Sequence, residues 1–209
     1  MITVRLLDSM SDIESKIQDS LLPLLNKELR KKAPRIESQA KEFAGNAVIN
    51  SPEILSLLDQ SPGSLRALFG LTTSSNIRLL IRESIMSAVN VSVQPLDKKF
   101  TGGLTINFQP SDFINLLSLP AGHVVYERGD LHWMKWLLTL GNSIIISNYH
   151  YKAVVGQGRS NLGIMSIGGS FRIPPQFSGT QDNNFVTRAL VGRRQEYAIS
   201  RIIEEALTS

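Results

Sequence analysis

In the stretch VNVSVQPLDKKFTGGLTINF, residues 89–108, apolar and polar side chains alternate on both sides of a polar turn that contains two glycines. The alternating apolar positions are Val89, Val91, Val93, Leu104, Ile106 and Phe108. A period of two predicts two half-buried strands joined as a hairpin. The chain before this stretch follows a helical period instead, so the order of elements favours an α+β fold over alternating strands and helices.

The N-terminal region predicts one long amphipathic helix and a continuation. Ser11 and Glu14 have the spacing of a capping box, and apolar residues follow at helical intervals. Pro23 lies within this pattern, where it removes one backbone hydrogen bond and is expected to kink the helix. Pro34 is expected to begin a second helical segment that reaches about Asn50.

Three shorter helices are predicted before residue 89. Ser51, followed by a proline and an acid, opens a helix that ends at Leu58. A second helix follows the turn at residues 61–64 and ends at Gly70. A third spans residues 75–87 on the basis of its apolar stripe.

The remaining chain predicts short helices and strands in mixed order. The expected helices span 113–117, 132–138, 184–190 and 194–207, and the expected strands span 144–155 and 162–167. Residues 171–175 form an edge of the sheet or an exit from it, because prolines cannot donate to a ladder. The predicted fold is therefore α+β: a helical N-terminal third, a small antiparallel β-sheet, and a C-terminal helix packed on the sheet. Its regions are 1–88 and 89–209, which together can form one domain.

Composition excludes several classes of protein. The 209 residues include no cysteine, which rules out disulfide scaffolds, cysteine-ligated metal sites and thiol catalysis. No apolar run approaches the length of a membrane span, and no secretory signal is visible, so we expect no membrane partner. The net charge is +4, and residues 131–209, with eight basic and four acidic groups, carry all of this excess. A basic third suits contact with nucleic acid but also suits an ordinary surface or a subunit contact.

No pattern of catalytic residues is present. The three histidines lack the spacing of a metal site, and Glu204 and Glu205 point in different directions on one helix. Gly156 and Gly158, like Gly168–Gly169, do not match a phosphate-binding loop and are expected to form turns between strands. We therefore expect a protein that is not an enzyme and has no cofactor and no metal.

Arginines and aromatic residues alternate in the last third and allow two interpretations. They could form a stacking platform for single-stranded nucleic acid. Alternatively, the aromatics fill the core and the arginines meet acids of a neighbouring subunit. Trp133 and Trp136 also allow two interpretations, because each could be a core residue or an interface anchor. The arginines are Arg159, Arg172, Arg188, Arg193 and Arg194, and the aromatics are Tyr149, Tyr151, Phe171, Phe177 and Phe185.

Several stretches resemble a family of structural proteins of tailed bacteriophages, the neck or tail-completion proteins that join the head portal to the tail. The matching segments are 64–71, 109–113, 133–141, 158–165 and 171–190, of which 171–190 is the most specific. Asn161 stands where family members often carry glycine. The resemblance implies a structural subunit without catalytic residues that assembles as a homo-oligomeric ring between head connector and tail, in the neck or tail top of the virion.

The resemblance also implies partners and interface positions. The expected partners are copies of the same chain, neighbouring phage connector, tail-terminator or sheath and tube proteins, and DNA in the channel. The candidate interface or motif residues are Trp133, Trp136, Arg159, Met165, Arg172, Pro174, Pro175 and Arg188. The alternative function is a soluble nucleic-acid-binding module that uses the basic C-terminal third.

Overall fold

A computed structural model of the chain describes residues 9–72, 76–126 and 129–208. The helices are α1 (Met10–Ile49), α2 (Pro52–Leu58), α3 (Leu65–Leu68), α4 (Ile77–Ala88), α5 (Ile114–Leu117), α6 (Trp133–Leu138), α7 (Phe185–Leu190) and α8 (Arg193–Thr208). The strands are β1 (Asn90–Gln94), β2 (Gly103–Asn107), β3 (Val124–Tyr126), β4 (Gly129–Leu131), β5 (Ile146–Ala153) and β6 (Gly163–Phe171). The predicted α+β class, with its helical N-terminal third and terminal helix, is confirmed.

Within the described residues, the strands form three separate two-stranded antiparallel sheets. The predicted β1–β2 hairpin is confirmed, with Val91 opposite Ile106. The β3–β4 hairpin was not predicted, because strands of three residues are too short to show an alternating pattern. The β5–β6 hairpin is the longest of the three. Each sheet leaves the outer edges of its two strands without a strand partner.

Helix α1 runs for 40 residues without interruption, so the prediction of a second segment starting at Pro34 is wrong. Its capping box is made by Ser9 and Asp12 rather than at Ser11: the Asp12 N–H donates to Ser9 Oγ at 3.1 Å, and the Ser9 N–H donates to Asp12 Oδ2 at 3.2 Å. Pro23 and Pro34 each lack an N–H and therefore remove one backbone hydrogen bond, but neither ends the helix. From Ala33 onward, buried side chains hold the helix against the core.

The predicted starts of α2 and α3 are confirmed. Ser51 is the N-cap of α2, and the Ser64 hydroxyl accepts the N–H of the third residue of α3. Gly70 has a φ of +63° and so ends α3 in the left-handed conformation that favours glycine. Helix α4 begins at Ile77. Ser75, where its start was predicted, lies outside the described residues.

One cluster of buried apolar side chains, among the residues described, joins the two predicted regions. It includes Ala44 and Val48 of α1, Ile54 and Leu57 of α2, Ile81 and Ile85 of α4, Trp133 and Leu137 of α6, and Phe185 of α7. Gly45 allows α1 to approach α4 closely, since a Cβ at this position would lie 2.9 Å from Met86 Cγ. Residues 1–88 and 89–209 therefore share a core.

Helix α8 packs along α1. Its predicted buried stripe is confirmed in part: Ala206 is buried, whereas Ile199, Ile202 and Ile203 are half-buried. Tyr197, which was predicted in the same stripe, is exposed, so that prediction is wrong. The physical reason is that α8 makes its main contacts with one helix, α1, which covers a narrower face of α8 than a full core would.

Candidate subunit interface

The β5–β6 hairpin carries apolar side chains on one of its two faces. Tyr151 lies opposite Met165, and Tyr149 lies opposite Ile167, so these four side chains share a face. Tyr151 and Met165 are half-buried against the body of the protein. The Tyr151 hydroxyl donates to the carbonyl of Pro62 at 2.6 Å, which anchors the hairpin. Burial also raises the pKa of Tyr151, which keeps the hydroxyl a donor.

A β-bulge interrupts strand β5 between Ser147 and Tyr149. The register shifts before Tyr149, where Asn148 has a φ of +62°. Gly168–Gly169 lies in β6 opposite the shift, with φ values of +104° and +73°, so the prediction of a turn between strands at these glycines is wrong. Next to the bulge, Tyr149 and Ile167 project from the body, and Ile167 is 84% exposed. This apolar pair, Tyr149 and Ile167, is called the hairpin face below.

The two tryptophans have different environments. Trp133 is fully buried and stacks on Phe69 at 5.7 Å between ring centroids, and its indole N–H donates to the Ala121 carbonyl at 3.0 Å. Trp136 is half-buried, and its indole N–H donates to Ser143 Oγ at 3.1 Å. Trp133 is thus a core residue, whereas Trp136 lies at the surface.

An apolar groove brings together two of the predicted interface residues, Trp136 and Met165. The groove has a volume of about 500 Å³ and lies between the β3–β4 hairpin, the β5–β6 hairpin and α6. Its other lining side chains include Tyr126, Ile146 and Phe171. Trp136 and Met165 are distant in sequence, and the sequence pattern around each of them does not indicate that they meet.

Arg159 ties the two hairpins to each other. Its guanidinium carbon lies 5.3 Å from the centre of the Tyr126 ring, and Nη1 donates to the Val125 carbonyl at 2.8 Å. Burial raises the pKa of Tyr126, and Arg159 opposes that rise. Asn161 of the same turn has a φ of +61°, a conformation that asparagine tolerates better than most residues. Arg159 is therefore engaged within the chain.

The predicted exit from the sheet at Pro174–Pro175 is confirmed. Strand β6 ends at Phe171, and the prolines form a turn whose carbonyls accept the N–H of Phe177 at 2.9 Å and the hydroxyl of Ser178 at 2.9 Å. Arg172 precedes this turn with an exposed side chain. Arg172 is thus available at the surface, while Pro174 and Pro175 shape the chain.

Arg188 lies in an ion pair between α7 and α2. It pairs with Glu53, which is only 2% exposed, and it also donates to Asn183 Oδ1 at 2.8 Å. The pair borders a cavity of about 890 Å³. Within the part of the chain that the structure describes, Glu53 Oε2 and Ser51 Oγ at this cavity have no hydrogen-bond partner. Arg188 therefore holds a fold contact that spans 135 residues of sequence, beyond the reach of local pattern analysis.

Two histidines form a polar cluster that the sequence did not indicate. The rings of His123 and His132 stack with centroids 3.8 Å apart, and His123 Nδ1 lies 2.9 Å from Asp130 Oδ2. Burial lowers the pKa of His132, and the nearby positive charges of His123 and Lys135 lower it further. The described residues include no group of three or more metal-ligating side chains that could hold an ion.

Helix α1 carries a second apolar surface that faces away from the core. The residues that form it, called the α1 stripe below, are Met10, Ile13, Ile17, Leu21 and Leu24. Intervals of three and four residues place them on one side of the helix. Met10 is 67% exposed and Leu24 60% exposed. The helical spacing predicts that these residues lie on one helix, but it does not show that the first half of this helix extends beyond the core.

Comparisons with protein-family models, with curated proteins and with solved structures found no match to this chain. Within residues 9–72, 76–126 and 129–208, no helix is both long and apolar enough to span a membrane. The interpretation of the surfaces described above therefore rests on their geometry and on the resemblance in sequence.

Proposed function

We propose that this chain is a structural virion protein of a tailed bacteriophage, a neck or tail-completion subunit that forms a homo-oligomeric ring between the head connector and the tail. The observation that carries the proposal is the exposed apolar surface on two separate elements, the α1 stripe and the hairpin face. Apolar surface that a single copy leaves uncovered is typical of protein contacts. Two different surfaces on one chain suit the head-to-tail contacts that close a ring.

The resemblance of residues 64–190 to phage neck proteins supports the same function. The segments that carry it include the turn with Arg159, the exit at Pro174–Pro175, and α7. In this proposal the chain performs no catalysis and holds no cofactor. Its expected neighbours are copies of itself, connector, tail-terminator or sheath and tube proteins, and DNA that passes through the channel.

A nucleic-acid-binding module is the second candidate, and the charge of one segment favours it. No acidic residue occurs between Asp130 and Asp182, while that segment contains four basic residues. Against this candidate, Arg159 and Arg188 are engaged in contacts within the chain. An RNA or DNA site would therefore rely on the other exposed basic residues of the C-terminal third, which include Lys135, Lys152, Arg172, Arg193 and Arg194.

The location of the chain in phage particles tests the proposal. Particles recovered from a lysed host are labelled with a gold-tagged antibody to this chain and viewed by electron microscopy. We expect the label at the junction of head and tail. A chain that is absent from the particles, and that instead binds DNA with an affinity that falls steeply with salt, would contradict the proposal and favour the second candidate.

A further inference from the structure

The first half of α1 contributes little to the core of its own chain. Every fully buried residue of α1 lies at or beyond Ala33. Before that point, the contacts to the rest of the chain lie on one side, where Asn26 exchanges hydrogen bonds with the backbone of Leu96 and Asp19 pairs with Lys98 at 3.0 Å. The α1 stripe lies away from these contacts, and the described part of the chain leaves most of it exposed.

The charges beside the α1 stripe are acidic. Between residues 10 and 26, the acids Asp12, Glu14 and Asp19 outnumber the single base, Lys16, and leave a net charge of −2. Asp19 is paired with Lys98, so Asp12 and Glu14 supply the negative charge near the start of the stripe. A surface that covers the stripe should therefore be apolar in its centre and basic around it.

The hairpin face has these properties. Tyr149 and Ile167 form an exposed apolar pair, and the exposed Arg172 follows β6. Lys152, opposite Ile164, lies on the other face of the hairpin. The surrounding segment, residues 131–181, contains four basic residues and no acidic residue. The hairpin face is therefore complementary to the α1 stripe in polarity, and the segment around it is opposite in net charge.

We propose that the α1 stripe of one copy docks on the hairpin face of a second copy of this chain. The stripe is about 21 Å long at 1.5 Å per residue, and the hairpin face is a single cross-strand pair, so the pair covers one part of the stripe, around Leu21. The two surfaces differ, so each copy uses one surface on each side. Such a heterologous contact repeats from copy to copy and closes a ring when the rotation allows it.

This inference rests on the proposed function in one respect, which is that the neighbours of the chain are copies of itself. A symmetric pairing of two α1 stripes is less favourable, because it brings together two segments that each carry a charge of −2. The outer edges of β5 and β6 also stay open in this arrangement, since the helix covers a face of the hairpin.

Thiol cross-linking tests the contact, and the absence of native cysteine makes the test specific. A tagged Leu21→Cys chain is mixed with an untagged Ile167→Cys chain and treated with a short bismaleimide. We expect a mixed dimer at a yield at least fivefold above that of a control mixture of Leu55→Cys and Ile167→Cys. Leu55 is a suitable control because it is an exposed apolar residue on α2.

Charge reversal provides the second measurement. Glu14→Lys in the Leu21→Cys chain should reduce the mixed dimer about threefold, and Arg172→Glu in the Ile167→Cys chain should restore it. Glu14 is reversed rather than Asp12 because Asp12 caps α1. A yield equal to the control would overturn the inference, and so would a predominance of Leu21→Cys homodimers. The cross-link is measured on purified chains, independently of phage particles. A mixed dimer of purified chains, combined with no antibody label at the head–tail junction, would support the contact and contradict the proposed location in the phage.

Discussion

At the scale of single residues, the Glu53–Arg188 ion pair shows how a surface arginine can be essential to the fold. Glu53 is almost fully buried, and one of its carboxylate oxygens lacks a hydrogen-bond partner within the described chain. Its charge therefore depends on Arg188. A buried ion pair adds little net stability, but removal of one partner leaves an uncompensated charge that is costly.

We predict that Arg188→Met lowers the free energy of unfolding by about 3 kcal/mol, because it leaves Glu53 charged and unpaired. The double variant Glu53→Met, Arg188→Met should recover most of this loss. Urea unfolding followed by circular dichroism at pH 7 measures both changes. Arg193→Met, at an exposed position of α8, is the matched control and should change stability by less than about 0.5 kcal/mol. Equal losses in the single and double variants would show that the ion pair is not the cause.

At the scale of elements, sequence analysis succeeded where the determining forces are local. The proline in the first turn of α2, the Ser64 cap of α3 and the alternation in β1–β2 act within a few residues, so the pattern identifies each element. It failed at Pro34, because tertiary packing beyond Ala33 keeps α1 helical through a residue that usually ends a helix. It also failed at Gly168–Gly169, where a positive φ serves a bulge inside a strand rather than a turn.

The candidate site was less predictable than the fold. Trp136 and Met165 meet in the groove, but the sequence does not show whether such residues lie in the core or at the surface. Arg159 and Arg188 were identified as interface candidates, and each has a partner within the chain. Long-range contacts of this kind depend on how the elements pack.

We expect the histidine cluster at the start of α6 to make the stability of the fold depend on pH. His132 stacks on His123, and its folded pKa lies below the ordinary value of 6.5, chiefly through burial. Below about pH 6.5 the unfolded chain binds a proton at His132 that the folded chain resists. The unfolded state then holds more protons, so the free energy of unfolding falls as the pH falls.

We predict that His132→Phe reduces this loss of stability between pH 7 and pH 5.5, since phenylalanine keeps the ring stack but does not titrate. Urea unfolding at four pH values measures the slope. His150→Phe is the matched control, because His150 lies exposed on β5, away from the cluster. An equal reduction of the slope in both variants would mean that the effect does not arise from the titration of His132.

At the scale of the whole molecule, folding and proposed assembly use different parts of α1. The core cluster takes its α1 members from residues at or beyond Ala40, and it joins them to helices on both sides of residue 89. The α1 stripe lies at the other end of the same helix. The molecule thus combines one shared core with a helical extension that is available for a neighbour.

We predict that a chain starting at Ser20 keeps its fold but loses the contact between copies. The truncation removes Met10, Ile13 and Ile17 of the α1 stripe together with the Ser9–Asp12 cap of the helix. Of the contacts described between this end of α1 and the rest of the chain, it removes the exposed ion pair of Asp19 with Lys98. Exposed pairs contribute at most about 1 kcal/mol, so the melting temperature should fall by only about 2–4 °C. Calorimetry measures this shift, and the Leu21→Cys and Ile167→Cys cross-link, repeated in the shortened chain, should fall to the control yield. A much larger fall in melting temperature would mean that the start of α1 stabilises its own chain, and an undiminished cross-link would mean that the removed residues do not form the contact.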